Sequence, residues 1–124
     1  MKKLKQLKPA FNQDLPRYRD LREMINGSAE RFGKKTAFII KHKKSKTEVE
    51  YEHITFEQFR NDIIHFGAGM HADGLQGHTI AISGKNSYPW MQSYFAVVSG
   101  LGTCVPLDNG LPYEELESSL VRSY

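Results

Sequence analysis

Gly84 to Leu111, GKNSYPWMQSYFAVVSGLGTCVPLDNGL, follows the short β-branched run Thr79-Ile80-Ala81-Ile82-Ser83 and leads through a helix-like segment into a second such run, Thr103-Cys104-Val105-Pro106-Leu107. The order is strand, helix, strand. A crossover of this length suits two parallel strands, and chain chirality makes such a connection right-handed. Ile80 to Ile82, short, apolar and bounded by Gly77 and Gly84, predicts a strand buried on both faces. Ser87 is placed to cap the helix, and Pro89 is tolerated in its first turn because the missing N–H there has no intrahelical partner. Trp90, Met91, Tyr94, Phe95, Val97, Val98 and Leu101 cover more than a stripe, which predicts a helix buried on most sides. Ser93, Ala96 and Gly100 leave one face of small side chains for close approach. The fold class is therefore α/β, with a partly parallel sheet built on a βαβ crossover over 79–107.

Upstream, Thr55-Phe56-Glu57-Gln58 has the pattern of a capping box, and Phe59, Ile63, Phe66 and Met70 recur at four, three, four, a core-facing helix stripe. Gly74 suits the left-handed position that ends this helix, with Leu75 closing against its last turn. Before it, Thr36 to Lys41 and Glu48 to Ile54 read as a β-hairpin over 36–54. Val49, Tyr51 and His53 share one face, taken as apolar with His53 packed and hydrogen-bonded; Glu48, Glu50 and Glu52 share the other and form cross-strand pairs with the lysine-rich partner. Leu21, Met24, Ile25, Ala29 and Phe32 predict a further helix, weakened at Asn26-Gly27 and ended by a left-handed Gly33. Residues 1–17 show no sustained period and read as a basic irregular arm, followed by one α/β domain over 18–124. Downstream, Asp108-Asn109-Gly110 is a turn, and Pro112 opens a last helix. That helix runs into Arg122-Ser123-Tyr124 without a stop signal, as if the domain were a truncated piece of a larger one.

A chain of 124 residues holds one hydrophobic core. The net charge of +3 is concentrated in the first eight residues and in Lys41 to Lys46. Neither cluster is interleaved with stacking aromatics or carried on a recognition helix, so nucleic acid is not expected as a partner. The single cysteine, Cys104, has no internal disulfide partner and sits in an apolar run, as a buried structural thiol does. No stretch reaches the roughly 18–20 apolar residues of a transmembrane segment, and no apolar signal core follows MKKLKQLK. A cytoplasmic location is expected, and Asn26-Gly27-Ser28 is then a chance sequon.

Three nucleotide or nucleophile signatures fail on context. Gly67, Gly69 and Ala72 fit G-x-G-x-x-A, but inside an amphipathic helix, where close helix packing accounts for them. Gly84-Lys85-Asn86-Ser87 resembles the end of a phosphate loop, yet Thr79 stands where the first glycine is required and Asn86 where Ser or Thr is required. Ser83 and Ser87 lack the glycines of a nucleophile elbow. His65 and His71 are about 240° apart around a helix and do not converge on a metal. No catalytic, cofactor-binding or metal-binding residue is assigned.

The succession ITFEQF, a helix closing in DGL, a short apolar strand, GKNSYPW, a helix ending SGLG, and VPLDNGLPYEEL resembles the amino-terminal part of the AMP-forming acyl-activating (adenylate-forming) enzymes. GKNSYPW and VPLD with Asn109 to Glu115 are most similar to long-chain fatty acid–CoA ligases. The resemblance covers 18–123, with Asn86, Trp90, Gly100, Pro106 and Asp108 matching the pattern best, as structural markers. It implies a full-length ligase using ATP, Mg²⁺ and coenzyme A on a fatty acid or other carboxylic acid. It also implies that the phosphate loop, metal-holding acid and late lysine lie beyond Tyr124, so this fragment binds no cofactor and is inactive alone. The second reading is a stand-alone, non-catalytic α/β binding or interaction module. Truncation beside so apolar a helix leads us to expect self-association, as a dimer or larger or by domain swap.

Overall fold

The computed structural model describes residues 16–123, so most of the basic arm over 1–17, and Tyr124, lie outside the described residues. In chain order the elements are α1 (Leu21–Phe32), β1 (Thr36–Lys43), β2 (Val49–Thr55), α2 (Phe56–Ala72), β3 (Thr79–Ser83), α3 (Tyr88–Ala96), a π-helical segment (Val97–Leu101), β4 (Thr103–Leu107) and α4 (Tyr113–Arg122). β1 and β2 form an antiparallel pair; β3 and β4 form a separate parallel pair in register from Thr79↔Thr103 to Ser83↔Leu107. The expected crossover and hairpin are both present.

The helix boundaries follow from local chemistry. Asp20 accepts the Glu23 N–H at 2.7 Å and starts α1. At α2 the capping box is complete: the Gln58 N–H donates to Thr55 Oγ1 at 3.1 Å, and the Thr55 N–H to Gln58 Oε1 at 2.8 Å. Its far end is a Schellman closure, with Gly74 at φ 82°, the Gly74 N–H on His71 O at 3.0 Å and the Leu75 N–H on Met70 O at 3.1 Å. Gly33 is different. Its φ is −7°, not left-handed; the chain turns directly into β1, with the Gly33 N–H on Ala29 O at 2.8 Å. Asn26-Gly27 does not interrupt α1, and the missing side chain at Gly27 makes room for the Tyr18 ring.

The core is formed where α1, α2, β2 and the end of the crossover helix meet: Ile25, Ala29, Ile54, Phe59, Ile63, Ala96, Val97 and Leu101 are buried. Phe59 is its centre, with Phe38 at 4.8 Å and Phe95 at 5.7 Å, both edge-on. Burying such a ring contributes about 1.5–3 kcal/mol, and its edge-to-face partners add about 0.5–1.5 kcal/mol each. Gly67 of α2 brings the crossover close, 3.8 Å from the Ala96 Cβ to the point where a Cβ would stand, so this glycine serves helix packing.

Several expectations are corrected. β3 is not buried on both faces: Ile80 and Ile82 are half-buried, while Thr79, Ala81 and Ser83 are exposed, so neither face is fully covered. The crossover helix is buried deeply only at its end, where Val97 is 0% exposed; Trp90 to Phe95 are half-buried. The stripe on α2 leaves the core after Ile63, and Phe66 is exposed. The hairpin faces are the reverse of those expected. A bulge between Thr36 and Phe38 sets Phe38 opposite Ile54 and Ile40 opposite Glu52, so the glutamate face is the one that continues into the core. Its outer end pairs across the strands, His42 Nε2 with Glu52 at 2.7 Å and Lys44 Nζ with Glu50 at 2.6 Å. Val49, Tyr51 and His53 face outward and are exposed, though His53 Nδ1 lies 3.3 Å from Thr36 Oγ1.

Candidate functional site

The parallel register fixes the place. Ser83 and Leu107 are partners at the carboxyl ends of β3 and β4, so the loop Gly84–Asn86 and the turn Asp108–Asn109 leave the sheet side by side. They line a cleft of about 340 Å³ together with Trp90. Open α/β sheets present their ligand crevices at this edge.

Each wall has a local cause. Ser87 Oγ accepts the Trp90 N–H at 3.4 Å, starting α3 and carrying the indole back over the loop, where its Cδ1 lies 3.6 Å from the point a Cβ would occupy at Gly84. Trp90 stacks on Tyr94 at 5.5 Å and 7° between planes. Opposite, Asp108 Oδ1 accepts the Gly110 N–H at 3.0 Å, closing the turn and aiming the carboxylate. The cleft therefore combines one cation (Lys85), one carboxylate, two amides and an indole face. It can hold a polar group. It contains no nucleophile beside a base.

The cleft is not built as a phosphate loop. In the first turn of α3 the Ser87 cap holds the Trp90 N–H and Pro89 has none, so two of the groups that could face an anion are withdrawn. The loop has neither the glycine spacing nor the hydroxyl of a phosphate cradle. Among the described residues, no three His, Cys, Asp or Glu side chains come together as metal ligands.

Elsewhere, burial pushes the Cys104 thiol upward from its usual value, which disfavours the reactive thiolate. Between α2 and α3, Tyr88 donates to Asp62 Oδ2 at 2.6 Å; burial, and then this carboxylate, hold the phenol well above its ordinary range. Gln92 Nε2 donates to the Asp62 carbonyl at 3.1 Å. These bonds lock the crossover helix onto α2.

Of the five pattern residues, the structure brings Asn86, Trp90 and Asp108 into the cleft. Pro106 lies one step back in β4, exposed and opposite Ile82, and Gly100 sits at the other end of the crossover with φ 121°. Lys85 and Asn109 complete the cleft without having been singled out. Equal strand lengths, 79–83 and 103–107, were the available signal, since in-register parallel strands place both following loops at one edge.

A family model described as AMP-binding enzyme matches residues 25–123. No curated protein matches the chain. Among solved structures, the N-terminal subdomain of Klebsiella oxytoca NpsA is similar with a TM-score of 0.71 at 15% identity, over 84% of this chain and 25% of that one. IdnL1 is similar with a TM-score of 0.71 at 19% identity, over 87% of this chain and 21% of that one. NpsA in complex with 3-hydroxyanthranilyl-AMSN gives 0.71 and 15%, over 86% of this chain and 20% of that one. At these identities the likeness is one of fold. The chain spans a quarter or less of the length of these structures.

Proposed function

The chain belongs to the AMP-binding enzyme family, and from that premise we propose that it is the N-terminal piece of an ATP-dependent, AMP-forming acyl–CoA ligase acting on a long-chain fatty acid. The family match over 25–123 carries the proposal. The ligase class and acyl chain rest on GKNSYPW and on VPLDNGLPYEEL, whose residues Asn86, Trp90 and Asp108 converge on one cleft. In this reading the whole protein joins a fatty acid to coenzyme A while splitting ATP to AMP and pyrophosphate. The groups that hold ATP, Mg²⁺ and coenzyme A come from outside this chain, which supplies a packed crossover as scaffold. No described helix is long and apolar enough to cross a membrane, and a cytoplasmic location is part of the proposal.

An aryl acid is the second reading of the substrate, supported by the neighbour described with 3-hydroxyanthranilyl-AMSN. The test starts by reading the frame past Tyr124 for a Gly, Ser and Thr-rich phosphate loop. The protein so encoded is then assayed for AMP and thioester formation with palmitate and with 3-hydroxyanthranilate. Palmitoyl-CoA with one AMP per thioester is expected. Turnover of the aryl acid alone would replace the substrate. A frame without such a loop would remove the ligase reading and leave the non-catalytic module, and ATP binding by the 124-residue chain alone would contradict both.

A further inference from the structure

A second recess, of about 370 Å³, lies between α1, the second half of α2 and the π-helical segment. Its floor is apolar: Ile25, Ile63, Ala96 and Leu101, all buried. Its polar wall is unusual in two respects. Ser99 lines it with a buried hydroxyl that has no hydrogen-bond partner among the described residues, and buried polar groups are ordinarily satisfied. Beside it, Arg22 crosses from α1 so that Nη1 comes within 3.4 Å of the point a Cβ would occupy at Gly100. This residue's φ of 121° and bare backbone give the guanidinium room. Gln76 Nε2 donates to the Gly100 carbonyl at 3.1 Å and pins the turn.

The charge is one-sided. Arg22, Arg60 and His71 line the recess, and no aspartate or glutamate does. Arg60 is engaged, its guanidinium donating to Asn61 Oδ1 at 3.2 and 3.3 Å. Arg22 is in none of the ion pairs among the described residues. A guanidinium fork outside those ion pairs and a buried, unsatisfied hydroxyl in the wall, beside an apolar floor, call for one kind of occupant: an acceptor-only head with an apolar body.

We propose that this recess binds a small anionic amphiphile, its carboxylate or phosphate head accepting from Arg22 and Ser99 and its chain lying on Ile25, Ile63, Ala96 and Leu101. This does not depend on the ligase reading.

The test is photolabelling of the intact protein, read past Tyr124, with an eight-carbon carboxylate bearing a terminal diazirine, the adducts being mapped by peptide mass spectrometry. Labelling on 60–71 and 96–101 is expected. Competition by octanoate or by octyl phosphate, and not by octanol, supports the site and tells the two heads apart. Arg22→Gln, an exposed substitution on α1, is expected to reduce labelling of these peptides about tenfold, and Ser99→Ala about threefold. Ala68→Phe, which fills the mouth from an exposed position, is expected to abolish it. Labelling absent from these segments, equal competition by octanol, or unchanged labelling in Arg22→Gln would overturn the proposal. An acyl substrate held elsewhere in the protein would label other peptides, so this result stands apart from the ligase assay.

Discussion

One methyl group, added or exposed at the turn from the π-helical segment into β4, has opposite consequences at Ser99 and Gly102, the residues that flank Gly100 and Leu101. Ser99→Ala removes a buried hydroxyl with no partner among the described residues. Leaving such a group unsatisfied costs about 1–3 kcal/mol, so the substitution is expected to stabilise the chain by about 1 kcal/mol, read as a raised urea midpoint at unchanged slope. Stability gained where ligand binding is lost marks a site maintained for function. Gly102→Ala acts the other way. A Cβ there would fall onto the His78 carbonyl, which is held in place by the Thr103 N–H at 3.0 Å. The strand must shift, and destabilisation of about 2–3 kcal/mol is expected in the same measurement. Gly100 stood out in the sequence as one of the five residues that match the family pattern best. Gly102 did not, because its constraint comes from a loop more than twenty residues earlier, and one chain read linearly shows no such approach. His53 is similar: alternation placed it correctly with Val49 and Tyr51, yet nothing local says which side the core takes.

Helix ends are decided within a few residues, which is why they were readable. The capping box at Thr55 and the Gly74 closure both follow their patterns, and Thr55→Ala is expected to cost about 1 kcal/mol, checked by thermal unfolding. Contacts between elements are less visible in a sequence. The Tyr88 bond to Asp62 at 2.6 Å joins residues 26 apart, and it makes stability depend on pH. The folded phenol is held above its unfolded value, so the folded state keeps its proton longer than the unfolded state does. Its contribution is complete below about pH 10, the unfolded tyrosine value, and declines as pH rises above it. Between pH 9 and 11.5 the urea midpoint is expected to fall, and Tyr88→Phe is expected to flatten that fall while lowering the midpoint at pH 7. An unchanged slope in the variant would separate Tyr88 from the alkaline transition. The hairpin shows the limit of periodicity. Alternation identifies two faces, and only the packing of Phe38, Ile40 and Ile54 into the core shows which one turns inward.

At the scale of the molecule, hydrophobic periodicity was sufficient for the element order and the parallel crossover, but it records which residues are apolar and not where their cover lies. The hairpin's outer face exposes Ile39 (60%) and Tyr51 (57%) with Val49 opposite Lys43, and α4 exposes Tyr113 (75%) and Val121 (68%). A cluster of this kind on each of two elements exceeds the scattered apolar residues of an ordinary monomer surface. The 124-residue chain on its own is therefore expected to associate, as a dimer or larger, with the weight-average mass by light scattering rising with concentration. Positive charge already flanks the hairpin face at Lys41 and Lys43, so a further charge there raises the cost of bringing two copies together. Ile39→Lys with Tyr51→Lys is expected to shift the chain toward monomer while leaving the fold intact, since neither side chain contributes to the buried core. A monomer at millimolar concentration in the unsubstituted chain would show that these faces tolerate water. Monomer formation by Val121→Lys alone would instead place the contact on α4.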